Sequence, residues 1–163
     1  MDKKAYQQTL PKKRISAGCL FLDENKHLLV VNPTYKDTWE IPGGVVEANE
    51  SPRDAAKREI FEEIGLDCNL IRLLGVDYSG ETKKRTESLQ FIFLGPILTP
   101  DMIASITLAQ DELSEYRILP PEKGLKLLNK KLRRRVRHCL KIINRQETLY
   151  LEEQQPVAHF VPR

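Results

Sequence analysis

The sequence predicts a fold of α/β or α+β class, with a mixed sheet packed between helical layers. Three observations carry this expectation. One helix, at about residues 52–64, has both of its ends marked in the sequence. Segments of strand character stand before, beside and after it, and two helical segments follow between residues 121 and 143. A chain of 163 residues suits one domain with a sizeable core, and a composition of 40% hydrophobic and 30% charged residues is ordinary for a globular protein.

In chain order, residues 1–13 read as a polar arm, 14–151 as a single domain and 152–163 as a tail. Ile15 to Leu22 and His27 to Val31 read as a hairpin of buried strands across the turn Asp23-Glu24-Asn25-Lys26. Trp39 and Ile41 lead into Pro42-Gly43-Gly44, and Trp39 is read as core packing rather than base stacking. Ser51 suits the N-cap of the central helix, Pro52 its first position, Asp54 its first turn and Gly65 its left-handed stop. Asn69 to Tyr78 and Glu87 to Leu94 are strand candidates joined by a polar connector whose Lys83, Lys84 and Arg85 are either candidate phosphate contacts or a solvated hairpin tip. Ile103 to Leu108 and Tyr116 to Leu119 read as further short strands, flanking an acidic loop that holds Glu112 and Glu115.

The C-terminal part differs in charge. Residues 121–163 carry 11 Lys/Arg and 4 Asp/Glu, or +7, which leaves −4 for the rest of a chain whose net charge is +3. A short helix is expected from Pro121 to about Asn129. A second presents Leu132, Val136, Cys139, Leu140 and Ile143 on one stripe and Arg133, Arg134, Arg135 and Arg137 on the other. That basic face is read as solvated, with attraction to RNA or another polyanion as the less favoured alternative. Cys19, Cys68 and Cys139 are odd in number and set among aliphatic residues, so free thiols are expected. The N-terminus lacks the apolar core of a signal peptide and no apolar run is long enough to span a membrane, so a cytoplasmic location is expected.

The central helix matters most for what it displays. Glu59, Glu62 and Glu63 stand at i, i+3 and i+4 and share one face, while Ala56, Ile60 and Ile64 make the adjoining face apolar. Three grouped carboxylates repel one another unless a cation sits among them, and hard oxygen ligands of this kind suit Mg²⁺, with Mn²⁺ as an alternative.

These residues also carry a family resemblance. Gly44, five residues, Glu50, seven residues, then Arg58-Glu59-Ile60-Phe61-Glu62-Glu63-Ile64-Gly65-Leu66 resembles the complete signature of the Nudix hydrolases. A chance match in a chain this long is on the order of one in ten million. The resemblance implies the Nudix α/β/α sandwich, with a mixed central sheet and additional C-terminal helices. It implies Glu59, Glu62 and Glu63 as metal ligands together with the backbone carbonyl of Gly43, Glu50 in an outer shell, and Arg58 orienting a signature glutamate. Gly44 falls among the residues expected against substrate. The general base is left open between Glu59 or Glu63 and a later glutamate, Glu112 or Glu115. The implied activity is hydrolysis of a nucleoside diphosphate linked to another moiety.

Elimination points to the MutT-like set. The region where ADP-ribose-cleaving relatives have a proline reads Glu81-Thr82-Lys83, motifs of the coenzyme A and NADH groups are missing, and Tyr78 lies too early for the tyrosine of dinucleoside polyphosphate cleavers. An intact or oxidised nucleoside triphosphate cleaved to monophosphate and pyrophosphate is therefore expected. The alternatives are an RNA 5′-end pyrophosphohydrolase and a non-catalytic ligand sensor or RNA-binding module. A homodimer is compatible with the sequence.

Overall fold

The computed structural model describes residues 2–157. Two sheets form the centre. Six strands run in the order β3 (Gly43–Val45), β1 (Arg14–Leu20), β5 (Ser88–Leu94), β4 (Arg72–Ser79), β7 (Leu149–Glu152) and β8 (Gln155–Pro156), while β2 (Leu28–Pro33) pairs with β6 (Leu113–Leu119). The large sheet is mixed: β1 lies parallel to β5 and β4 to β7, and the remaining pairs are antiparallel.

Alternation along buried strands assigns the layers. Cys19, Phe21, Leu29 and Val31 pack on one side with Ile60 and Ile64 of α2 (Pro52–Ile64). Leu20, Leu28 and Val30 point to the other side, against Leu125 of α4 (Pro121–Leu127) and Val136 and Cys139 of α5 (Lys130–Lys141). The helix–sheet–helix arrangement expected from the sequence is thus present.

The central helix has the expected bounds. The Ser51 hydroxyl accepts the Asp54 N–H at 3.1 Å, and Gly65 closes the helix at φ 71°. Gly43 is required for a different reason: its φ is 148°, and a Cβ there would collide with the Ala17 carbonyl and the Gly18 backbone of the adjacent strand. Gly43→Ala should therefore destabilise the protein by about 3 kcal/mol, read as a lower midpoint in urea with an unchanged slope.

Five expectations are corrected. The polar arm contains a helix, α1 (Lys3–Thr9), none of whose residues is buried. The hairpin exists only at its turn, through the Leu22–Leu28 bridge and the Leu29 N–H to Phe21 carbonyl bond of 3.0 Å. Beyond it β1 enters the large sheet and β2 the small one, since strands apolar on both faces are satisfied as interior elements. Ile103 to Leu108 is not a strand. The Thr99 side chain caps a short helix, α3 (Pro100–Ala104), and the apolar residues pack under it without pairing. The strand at Tyr116 to Leu119 begins earlier, at Leu113, so Glu115 lies within β6 rather than in a loop. Finally, the sheet continues past residue 151: β8 and the buried Gln154 belong to the domain, and the part of the expected tail at 158–163 lies outside the described residues.

Cys19 and Cys139 are buried free thiols and Cys68 is half-buried. Trp39 is in the core with the Arg117 guanidinium 4.7 Å above its ring, which leaves it no base-stacking face on that side. Among the described residues, no helix is long and apolar enough to cross a membrane.

Candidate active site

The spacing of the acidic residues on α2 carries over directly into space, and Arg58 organises it. Its Nε and Nη2 donate to the two oxygens of Glu50 at 2.8 and 3.0 Å, Nη1 donates to Glu59 at 2.8 Å and to Glu62 at 3.0 Å, and Nη2 also reaches the Val45 carbonyl at 3.1 Å. A planar guanidinium with five N–H donors is suited to such multiple contacts. It ties the loop after β3 to the helix and keeps Glu50 below the usual carboxylate range. The carboxylates in turn hold Arg58 firmly in its charged form.

Glu63 is the buried member of the set, with 8% of its surface exposed. Its Oε2 accepts the Gly43 N–H at 2.9 Å, and burial pushes its carboxyl up to about 8. Burial also raises Glu59, against the opposing pull of Arg58. Gly44 faces Glu59 so closely that any Cβ at 44 would overlap the carboxylate. Glu62 is the open end of the group, its side chain 51% exposed. Three acids thus share a face, but no three acidic, histidine or cysteine side chains converge at ligating distance among the described residues. Arg58 draws Glu59 and Glu62 toward itself while Glu63 turns to Gly43. Gathering the three requires side-chain rotation only, because their backbone positions already lie on one helical face.

The two later glutamates part company. The Thr107 and Ala109 N–H groups bond to the last carbonyls of α2, Ile64 and Glu63, both at 3.0 Å. Capping of those otherwise orphaned carbonyls brings the following loop against the acidic face, where the charge of Glu112 bears on both Glu59 and Glu63. Glu115 lies in β6 opposite Asn32 and pairs with Arg117 at 2.6 Å, away from the group.

Beside this face opens a cleft of about 690 Å³ that runs from Gly43–Val45 across β1 and β5 to the start of α5. Lys84 and Arg85 line it as expected, whereas Lys83 does not. Glu40 and Lys131, the latter from the basic run that opens α5, also line it, as do Arg14 and Lys36, which the sequence reading did not single out. A signal existed for Arg14: Arg14, Ser16 and Gly18 alternate with Ile15, Ala17 and Cys19, so polar and small residues share one face of β1.

The basic face of α5 is not the free stripe expected. Arg135 is buried against Asp77, Arg133 donates to the Leu125, Lys126 and Leu128 carbonyls, and Arg137 pairs with Glu122 at 3.0 Å. These arginines fasten α4, α5 and the sheet together.

Comparison with known proteins bears on the whole arrangement. A family model described as the NUDIX domain matches residues 12–140. Diphosphoinositol polyphosphate phosphohydrolase 2 of Rattus norvegicus is 43% identical over 76 residues, 46% of this chain and 42% of that protein. Diphosphoinositol polyphosphate phosphohydrolase 3-alpha of Homo sapiens is 43% identical over 77 residues, 46% of this chain and 47% of its own length. The chain therefore spans less than half the length of these curated relatives. Among solved structures, the MutT protein of Methanosarcina mazei Go1 superposes with a TM-score of 0.65 at 22% identity, covering 86% of this chain and all of that one. A NUDIX hydrolase of Nitrosomonas europaea gives 0.68 at 19%, covering 88% and 79%. With the motif, the fold and the family model in agreement, the chain belongs to the Nudix family.

Proposed function

We propose that this chain is a divalent-metal-dependent pyrophosphohydrolase that cuts a phosphoanhydride bond in a small, phosphate-rich molecule. The observation that carries the reading is the contact between an acidic helix face and a basic cleft, joined through the Gly43–Val45 edge. Glu59, Glu62 and Glu63, with the Gly43 carbonyl, form a set of hard oxygen donors that fits Mg²⁺ or Mn²⁺. When bound, such an ion supplies charge neutralisation at the phosphate and a more acidic water. The chain's own part is to seat the phosphates and hold the acids. Arg58 fixes Glu59 and Glu62, Glu50 anchors Arg58, and Gly44 and Lys84 face the phosphates. Glu112 is the favoured proton acceptor over Glu115 because only its charge reaches the acidic face.

For a nucleoside triphosphate the expected products are monophosphate and pyrophosphate. A second reading, a diphosphorylated polyol polyphosphate, is favoured by the names of the relatives and by the cations of the cleft. A screen of both substrate classes with and without Mg²⁺, run in ¹⁸O-labelled water and read by mass spectrometry, tests the proposal. Release of orthophosphate alone from a triphosphate would overturn the monophosphate-and-pyrophosphate assignment, and turnover undiminished by a chelator would overturn the proposal itself.

Glu63 yields a prediction readable without substrate. In the metal-free protein its carboxyl titrates at about 8, against about 4.3 in the unfolded chain, so between these values the folded state holds the proton that the unfolded state releases. Stability of the metal-free protein should therefore fall as pH rises through that window, and Glu63→Gln should flatten the slope of melting temperature against pH. Adding Mg²⁺ near neutral pH should release protons, measurable as a buffer-dependent heat of binding.

A further inference from the structure

The cleft holds more positive charge than a single diphosphate beside an acidic metal site calls for. Of the cations at its walls, Lys36 is paired with Glu40 at 2.5 Å and Arg135 with Asp77 at 2.7 Å. Among the described residues, Arg14, Lys84, Arg85 and Lys131 have no ion-pair partner. Strand register explains why they meet. Parallel β1–β5 and antiparallel β4–β5 pairing set Arg14, Ser88 and Ser79 in one row across the sheet and Ser16, Gln90 and Asp77 in the next. Lys84 and Arg85 come from the β4–β5 connection at that same end, and Lys131 stands one turn before Arg135 on α5.

Arg135 is the built part of this region. It is only 7% exposed, and Asp77 beneath it is wholly buried. Asp77 Oδ2 accepts from Arg135 Nε and pairs with Nη2, both at 2.7 Å, while its Oδ1 accepts the Gln154 N–H at 3.0 Å. Nη2 also donates to Gln90 Oε1 at 3.2 Å. The remaining nitrogen, Nη1, has no hydrogen-bond partner among the described residues, and Arg135 lines the cleft. A carboxylate thus fixes one edge of the guanidinium and leaves the other as an oriented donor.

We propose that Arg135, with Lys131, Arg85 and Arg14 around it, forms a second anion subsite. It holds a phosphate group of the substrate that is not hydrolysed, and so selects molecules carrying phosphate beyond the scissile diphosphate. The inference rests on the hydrolase reading above. Asp77 acts as a positioning residue, since among the described residues its carboxylate bonds to Arg135 and the Gln154 backbone alone. A neutral group in this part of the cleft would leave Arg14, Arg85 and Lys131 uncompensated beside it, whereas a phosphate accepts charge-assisted hydrogen bonds from several cations at once.

The test is calorimetric titration of the full chain, freed of metal by a chelator, with myo-inositol hexakisphosphate as a rigid multi-phosphate probe. Binding is expected, and Lys131→Met and Arg85→Met should each weaken it by about tenfold, the effect of losing one charged contact. Both side chains are exposed, so folding should survive. Arg135→Lys, which keeps the charge but loses the fork, should also weaken the probe, with its melting temperature measured alongside. No probe binding, or binding unaffected by both methionine variants, would overturn the subsite. A short single-stranded RNA that binds more tightly than the probe would reassign the cations to an RNA track and overturn it as well. Probe binding lost in the variants while the wild type with Mg²⁺ hydrolyses no diphosphate would keep the subsite and remove the hydrolase reading. Hydrolysis without probe binding would do the reverse.

Discussion

Replacing Glu62 and Glu63 together by glutamine should lower turnover by about three orders of magnitude or more while leaving the protein folded. Glutamine keeps the length and shape of each side chain but cannot supply a charged oxygen to a cation. The fold should tolerate the change for reasons visible at each position. Glu62 is half in solvent, and its bond to Arg58 is one of several that Arg58 makes. Glu63 is raised to about 8 by burial, so in the metal-free protein near neutral pH it is largely protonated, and a neutral amide is a close substitute. The amide oxygen can still accept the Gly43 N–H. Melting temperature and far-ultraviolet circular dichroism should stay near those of the wild type while kcat collapses. A double variant that turned over substrate at the wild-type rate would place the metal site elsewhere.

Arg58→Lys should cut kcat by about a hundredfold with little change in KM. The guanidinium engages Glu50 through two nitrogens, Glu59 and Glu62 through a third, and the Val45 carbonyl besides. An ammonium carries the same charge but has no planar fork, so it cannot hold Glu50 at two points while still fixing Glu59. The expected damage is loss of carboxylate positioning, which falls on the chemical step rather than on substrate capture. A raised KM with unchanged kcat would instead put Arg58 against the substrate. Glu50→Gln should resemble it more weakly, because Glu50 acts by anchoring Arg58 and by accepting the Glu47 N–H at 2.9 Å, and an amide oxygen can keep the second of these.

The acidic helix was legible in the sequence because everything that defines it is local. Ser51, Pro52 and Gly65 mark its ends within a residue or two of where they act, and carboxylates at i, i+3 and i+4 must share a face whatever the helix packs against. The partner of that face was less legible. Glu112 and Glu115 are three residues apart and chemically alike, and only the capping of α2 by Thr107 and Ala109 brings the first toward the site, while pairing with β2 carries the second away. Local patterns misled where tertiary pairing decided: β1 and β2 meet at a turn yet belong to different sheets, and the apolar run at 103–108 starts in the last residues of a capped helix and continues without strand pairing.

The cleft lay furthest from reach. Ser16, Asp77, Gln90 and Arg135 are spread over much of the chain, and what unites them is the register of three strands and the seating of one helix over them. In sequence Arg135 is one of several arginines on an amphipathic helix, with nothing to mark it as buried or paired. The sequence by itself therefore determined the helix, its acids and the family signature, since these depend on spacing along one element. Tertiary structure alone decided which cations line the cleft and which fasten the fold, because that depends on long-range pairing between elements that no local spacing encodes.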